Sequence, residues 1–558
     1  MIVFRGSPSG SLRSDRLTNP PNHEIQGRDQ ENGRSKDEGL RGARMAECSR
    51  LIKRKVGGIL AVALSFSAVG VNPTVRAGGA EGDNSLNDEA IPLQFDQVPE
   101  RPFALDWGTR FLKRGPTGPE IELPTGAVWQ PSVIVFGTYR TAIQTFDNGQ
   151  TRFSEWANRL DIFGELRLTG TERLVVGLRP FDEDGRFTSF NLHPTENDDW
   201  QTAFNVDITT LFFEGELAEL FPNLDPEDTT PLDLGFSVGR QPIFIQEGML
   251  INDTIDAVGL VRNTLMPSGT SNLRFTFLYG WHGLNRGNNF SGNNLEDDTA
   301  QLWGLFTELD TRFSTINLDL AYIDSRHTGS ALYAGASAVQ RIGHLNTSFR
   351  VVASLPATGE TSFPRTDARR RTPPPPLPPP AGLTLLPFSP TRRPPEPIPA
   401  DPRATDQNTR GVLFFGELSW TPPHTHDLVY LNGFYAKNRF SSAARDPATG
   451  GPLGRTGILF SAVGLGRYGS ALSNQAEDAY GASFGYQRFL DHEHRKQLIL
   501  EIGGRKDTNG VHEDQAAIGL RYQQAFGQHT LLQIDAFAGV QEEEEPSFGV
   551  RMEWAFRF

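Results

Sequence analysis

Cysteine is almost missing from this 558-residue chain; the only one is Cys48. No disulfide framework can hold the fold, which must rest on hydrogen bonding and packing. Long apolar runs are missing too. None approaches the roughly 18 to 20 residues a spanning helix needs, so a helical membrane protein is excluded. Basic charge is also short, at 53 Lys/Arg against 67 Asp/Glu and a net −14. That balance leaves no basic footprint for a nucleic-acid partner.

One shorter apolar run is present, in "RLIKRKVGGILAVALSFSAVGVNPTVRA". Arg50, Lys53, Arg54 and Lys55 precede an apolar stretch from Ile59 to Val71, and Val75-Arg76-Ala77 follows. A basic n-region, an apolar core and a small-residue cleavage site make a secretory signal. The reading is a signal peptide over 45–77, beginning at Met45, behind a dispensable or mis-assigned extension over 1–44. No lipobox follows the run, which argues against a lipoprotein. Residues 78–558 then carry 40 Lys/Arg against 60 Asp/Glu, a net −20, and no cysteine.

From residue 132 onward the pattern has period two. In "NRLDIFGELRLTG", Leu160, Ile162, Gly164, Leu166 and Leu168 alternate with Arg159, Asp161, Glu165 and Arg167. "TINLDLAY" and "AAIGLRYQ" repeat the scheme. Strict alternation predicts strands with one apolar and one polar face. Eighteen such segments can be drawn: 132–146, 156–169, 172–181, 208–220, 232–241, 253–264, 270–281, 298–310, 313–325, 332–340, 344–355, 410–421, 427–437, 478–490, 495–506, 513–525, 529–540 and 547–558. Gaps after odd-numbered segments run long (182–207, 242–252, 282–297, 356–409, 438–477), and most after even-numbered ones run short. An antiparallel meander would therefore carry its long loops at one end, as outer-membrane barrels do.

A soluble sandwich or adhesin also alternates along its strands. The signal peptide, the even count, the spanning length of the segments and the final "FGVRMEWAFRF" favour a membrane barrel. In hydrocarbon every backbone group must be paired, so the sheet must close on itself. The tail, with Phe548, Val550, Met552, Trp554, Phe556 and Phe558 on one face, is then the closing strand against 132–146. Its aromatic end resembles the assembly signal of bacterial outer-membrane barrels. The fold class expected is all-β: an antiparallel transmembrane β-barrel of about 18 strands over 132–558, with both termini periplasmic. Residues 78–131 form a periplasmic or plug-like lead segment. The proline-rich stretch within 356–409 is too poor in backbone donors to pair and is read as a long extracellular loop.

If the apolar face meets lipid, the other lines a lumen. The inward candidates are Arg140, Arg159, Arg167, Arg262, Arg274, Arg350, Arg505, Arg521 and Arg551, with Asp161, Glu165 and Glu501. Arg179, Glu214, Asp319, Glu417, Asp535 and Glu553 share that face. Some must pair across strands, because a wall of unpaired buried charge is costly. The others would make a charge-lined path in which arginines serve anionic solutes.

Residues 234–261, "LGFSVGRQPIFIQEGMLINDTIDAVGLV", resemble the alginate export porin family through Gly239-Arg240-Gln241 and Asp256-Ala257-Val258. The resemblance implies an eighteen-stranded outer-membrane barrel whose arginine-rich lumen conducts an anionic polyuronate.

Other chemistry has weak support. His344, Asn346 and Ser348 alternate, but residues two apart on a strand stand about 6 to 7 Å apart, too far for a hydrolase relay. The histidine pairs 424/426 and 492/494 fall in turns, and "FDEDGRF" (181–187) lacks the distal ligands of a calcium loop. No enzyme, metal or cofactor is expected. The expected function is an outer-membrane channel for hydrophilic solutes, anionic ones or an exported polysaccharide among them. Its partners would be outer-membrane lipid, the solute and the barrel assembly machinery. The competing class is a surface structural or adhesive protein that uses the barrel as an anchor for loops 356–409 and 438–477.

Overall fold

The computed structural model describes residues 103–108, 120–183, 186–194, 199–224, 233–286, 296–326, 328–356, 410–461, 465, 467–491, 493–510, 513–542 and 544–558. The extension 1–44, the signal 45–77 and nearly all of the proline-rich stretch lie outside the described residues.

Eighteen strands form one antiparallel ring. They are β1 (Ser132–Asp147), β2 (Arg152–Arg167), β3 (Arg173–Leu178), β4 (Ile208–Glu216), β5 (Gly235–Ile245), β6 (Ile251–Leu265), β7 (Thr270–His282), β8 (Gln301–Thr311) and β9 (Ser314–Asp324). The ring continues with β10 (Ala331–Ile342), β11 (Leu345–Pro356), β12 (Gly411–Trp420), β13 (Leu428–Arg439) and β14 (Glu477–Phe489). It ends with β15 (Lys496–Asp507), β16 (Gln515–Phe526), β17 (Thr530–Gln541) and β18 (Ser547–Arg557). Each of the eighteen expected segments is present, including the short-patterned 332–340.

β18 closes the ring on β1, running from Phe548 opposite Asp147 to Arg557 opposite Thr138. Phe558 completes the seam: Gly137 N–H donates to its carbonyl at 2.7 Å, and its own N–H returns to Gly137 O at 3.1 Å. A Cβ on Gly137 would stand 2.7 Å from the Phe558 ring, so glycine is what lets the terminal aromatic lie against β1. β1 overhangs this pairing, and Leu105–Trp107 fills its free edge with Leu105 opposite Val135. Of the described part of 78–131, Leu105–Trp107 extends the sheet, and Ile121–Glu122 pairs with Val128–Trp129 in a separate two-stranded sheet.

Alternation is as expected on β18. Val550, Met552 and Phe556 face out, while Ser547, Gly549, Arg551, Glu553 and Ala555 are buried inside. Around the ring, exposed Leu305, Leu318, Leu320, Leu431, Leu500 and Ile502 form an apolar outer belt. Trp281, Trp303, Tyr322, Tyr435 and Tyr480 border it at one end, and Trp420, Tyr486, Phe526 and Phe556 at the other. An apolar band between two aromatic rows is the surface a bilayer selects.

The loop end departs from expectation. The described residues of 438–477 do not form an exposed loop. Phe440, Ala443, Leu453, Leu459, Phe460, Tyr468, Leu472 and Ala476 are all buried, joining Met249 and Leu250 in one lumenal core, and Leu465 is buried in a smaller cluster with Ala142 and Ala157. The cause is composition: a stretch with this many large apolar side chains loses free energy in water, at about 25 cal/mol per Å² exposed. Inward glycines of the wall make room for it. A Cβ on Gly519 would meet Leu459 at 2.7 Å, and one on Gly549 would meet the Tyr468 hydroxyl at 2.8 Å.

Candidate conduction path

Two ends of the lumen can be told apart. The end that carries Ser132 and Phe558 is here the terminal end; the other is the loop end. Inward positions near the loop end are apolar or small: Ile255, Leu302, Ala321, Ile323, Leu413, Ala436 and Ala479 are fully buried. Segment 440–476 covers them and crosses the bore. It leaves β13, touches the 246–250 turn through Ser442 Oγ–H to Met249 O (2.7 Å) and Ala443 N–H to Leu250 O (2.8 Å), and reaches β1 and β2. There Arg467 donates to Glu155 through its backbone N–H (2.8 Å) and its Nε (3.3 Å). Gln144 donates to Leu465 O. Tyr468 packs edge-on against Phe146 and Phe537; burial, with Asp535 beside it, pushes its phenol pKa up.

Two of the expected path residues hold this segment and do not line a path. Glu501 is fully buried; its carboxylate accepts the N–H groups of Ile458 and Leu459, both at 3.0 Å, and the Tyr430 hydroxyl. Arg505 donates to the carbonyls of Ser473 (3.1 Å), Gln475 and Glu477 (3.2 Å). The inward parity read from the alternation is correct for both. What an alternating strand cannot show is the second layer beneath it.

Toward the terminal end the inward face is charged and the charges are paired. Arg140 grips Glu553 with two bonds, 2.7 and 3.0 Å. Arg159 and Arg179 share Asp161 at 2.6 and 2.9 Å, and Arg179 also reaches Asp182 at 3.3 Å. Arg167 and Arg173 share Glu165 at 2.7 and 3.3 Å, and Arg173 also pairs with Glu214. Arg274 meets Glu308 directly across β7 and β8 at 2.6 Å. Arg521 and Arg551 share Asp535 at 2.6 and 3.2 Å, and Arg551 also contacts Glu553. Arg350 differs: it is buried, with carboxylates of Glu417 and Glu247 only at 3.9 and 4.0 Å, and it lies over the Phe415 ring.

Arg262 is not in the lumen. It stands opposite Phe275 across β6 and β7, on the face of the exposed Leu260 and Phe275. At the terminal end of β6 its long stem reaches along the wall to Asp233, 3.2 Å away, as a snorkelling arginine does. Charge alone puts Arg262 inside; period two from the exposed Leu260 puts it outside, and the register shift comes only after it, between Arg262 and Leu265.

The remaining sequence features resolve as turns. His344 sits in the β10–β11 turn, outside the strand that holds Asn346 and Ser348, so the trio is not one ladder. His426 and His494 bring two turns together, ring centroids 4.6 Å apart; His492 lies outside the described residues. Asp182 is part of a short hairpin, with Asp182 opposite Phe187 and Glu183 opposite Arg186. Sequence reasoning missed Glu155, Gln144 and Asn432, which bond the crossing segment from the wall. The signal that could have found them is the apolar content of 440–476, matched to glycines at inward, loop-end positions of the strands.

No family model matches the chain, and no curated protein matches it by sequence. Similar solved structures include OpdK of Pseudomonas aeruginosa with vanillate, at 10% identity and TM-score 0.47, covering 76% of this chain and 98% of that one. OccAB3 of Acinetobacter baumannii stands at 11% identity and TM-score 0.46, covering 76% and 99%. OpdQ of Pseudomonas aeruginosa stands at 9% and 0.45, covering 76% and 98%. The barrel is established by its own strand pairing, and likenesses at this level add no statement about function.

Proposed function

We propose that the chain is a bacterial outer-membrane channel for small hydrophilic solutes, with both ends of the barrel sequence on the periplasmic side. The carrying observation is the division of the inner face. A closed wall with an apolar belt outside holds a charged terminal-end lumen, and one crossing segment narrows it at the loop end. Eighteen strands enclose an aqueous bore unless something fills it, and among the described residues only the loop-end half is filled. The paired arginines give a wall with both signs of charge, suited to hydrated polar solutes, anionic ones included. Among the described residues His344 lies in a turn apart from Asn346 and Ser348, which supports a reading of transport without catalysis. Lipid and the barrel assembly machinery, which would read the aromatic tail, are the partners this implies.

A polyuronate is the second reading, and one observation favours it. The two halves of the motif shared with alginate export porins form one cross-strand unit, with Gly239 opposite Ala257 and Arg240 opposite Asp256. Gln241 Nε2–H donates to Ala257 O at 3.1 Å.

Planar bilayer recording of purified protein tests the channel. Stable single-channel steps are expected, and replacing 441–475 with a short Gly-Ser turn should raise the conductance severalfold. Silence of both proteins, each verified as a folded barrel, would reject the channel and leave the barrel as an anchor. Polyuronate fragments that block the shortened variant but not small-ion current in the parent would favour the second reading.

A further inference from the structure

One inward arginine is not closed onto an acid. Arg350, midway along β11, is 3% exposed, and its Nε and Nη1 are buried without a hydrogen-bond acceptor. Its Nη2 reaches Ser348 Oγ only at 3.4 Å. The carboxylates of Glu417 and Glu247 stand 3.9 and 4.0 Å away, beyond hydrogen-bond reach. By contrast, Arg140, Arg159, Arg167, Arg274 and Arg521 each hold a carboxylate within 2.7 Å. Buried donors left unmade are costly, so the place beside Arg350 calls for an acceptor closer than either glutamate.

Glu247 is the more exposed of the two, at 39% against 25% for Glu417. Glu417 is fixed on β12, whereas Glu247 sits on the 246–250 turn. Its Oε2 lies 2.8 Å from Nη2 of Arg455 on the crossing segment, and Arg455 is half exposed. One carboxylate therefore stands between two guanidiniums, one from the wall and one from the segment that narrows the bore. The backbone beneath it is strained. Gln246 and Glu247 have φ of 53° and 54°, and Gly248 follows at 77°; side chains other than glycine rarely adopt the left-handed region. Bonds on both sides hold that shape. Gln246 Nε2–H donates to Asp319 at 2.6 Å, and Gly248 O accepts from Arg445. Gly335 makes room for the turn, since a Cβ there would stand 2.9 Å from Gln246 Cγ.

We propose, resting on the channel function above, that Glu247 sets the charge preference of the conduction path. It is the resident counter-ion of a two-arginine seat at the boundary between the filled and open halves of the lumen. With Glu247 in place the seat is balanced, Arg350 and Arg455 against Glu247 and Glu417. A small anion crossing the narrowing takes the place of the Glu247 carboxylate on the two guanidiniums. Without that carboxylate the seat carries two positive charges against one negative, and a charged constriction concentrates the opposite ion. The arginines of the terminal half cannot set the preference this way, because each is already bonded to its own acid.

Planar bilayer recording across a potassium chloride gradient tests the assignment. In Glu247→Gln the reversal potential should move toward the chloride value, with the chloride-to-potassium permeability ratio rising severalfold. Arg455→Gln, at a half-exposed position, should move it the other way. Glu308→Gln, in the open half, should shift it less than Glu247→Gln does. Glu493→Gln, in an exposed turn outside the lumen, should leave it unchanged. Heat-modifiable mobility confirms that each variant is a folded barrel. A merely structural Glu247 would change stability or the number of channels and leave the ratio where it was. An unmoved ratio in Glu247→Gln or in Arg455→Gln overturns the proposal, as does an equal shift in Glu308→Gln. In either case a conducting parent leaves the channel function standing. Silence of the parent and of the variant shortened over 441–475 rejects both.

Discussion

The two halves of the lumen share the same strands and end in opposite states. At the loop end the inner face of β6, β8, β9 and β12 is a core: Ile255, Leu302, Ile323 and Leu413 are as buried as in a soluble protein. At the terminal end β8, β9 and β12 turn inward Glu308, paired with Arg274 of β7, then Asn317 and Glu417. The alternation on β8, β9 and β12 runs through both halves, so the difference does not come from the wall. It comes from 246–250 and 440–476, which supply a second apolar layer on one half only. A barrel wall therefore takes its local character from what is folded against it, and a segment that carries Leu459, Phe460 and Leu472 into the bore gains about 2 kcal/mol for each large apolar side chain it buries.

The comparison presupposes a closed ring, and the seam is where it can be broken outright. Deleting Phe558 removes both hydrogen bonds to Gly137 and the ring that lies on it. We expect loss of assembled barrel, seen as loss of the heat-modifiable band in membrane fractions, before any change in conductance of the molecules that do assemble. Normal assembly of the truncated protein would show that the seam is held by β1 and β18 upstream of residue 557.

The next largest effect separates buried from wet ion pairs. Asp535 lies between Arg521 and the fully buried Arg551. Asp535→Asn removes the charge that Arg521 and Arg551 share and leaves Arg551 with Glu553 alone; breaking a buried pair from one side costs up to about 3–5 kcal/mol. The matching change at a wetter pair, Glu308→Gln opposite the partly exposed Arg274, should cost no more than about 1 kcal/mol. Denaturant midpoints in detergent measure both. Equal losses would mean that the Arg274–Glu308 pair is as dry as the cluster around Asp535.

These contrasts also mark how far the sequence could be read. Strand existence, number and facing were legible because one apolar and one polar face leave a period of two wherever pairing is regular, as in "TINLDLAY". Arg262 was misplaced because its charge was given more weight than its position two residues past the outward Leu260. Glu501 and Arg505 were placed on the correct face and given the wrong surroundings, since alternation describes one wall and carries no information about a second layer. The crossing segment was taken for an exposed loop on length alone. Leu459 and Leu472, opposite Gly503 and Gly519, and Tyr468, opposite Gly549, were the overlooked pattern. The ion pairs were foreseeable as a class, because buried charge must find a partner, but which partner each arginine takes depends on register between strands far apart in sequence, as for Arg140 with Glu553.

The smallest expected effect lies at the loop base. Asp297 is pushed up by burial, but hydrogen bonds from Ser325, Thr328 and Thr299 outweigh this and hold its carboxyl below the usual value. A carboxyl with a lowered folded pKa stabilises the fold fully above its unfolded value, near pH 4. That contribution is lost as pH falls through the folded value beneath it. Between pH 6 and pH 4.5 the limbs of the 283–300 connection should therefore keep their amide protection, and below pH 4 the protection of Asp297 and Ala300 should fall. Asp297→Asn keeps one acceptor at every pH, so it should lose about 1 kcal/mol of local protection near neutrality and show a flatter profile below pH 4. Hydrogen exchange followed by mass spectrometry across that range measures both. A parent profile flat down to pH 2.5 would mean that the hydroxyl donors serve the protonated acid as well as the carboxylate, and that this end of the core is fastened by Asn285 and Asp253 alone.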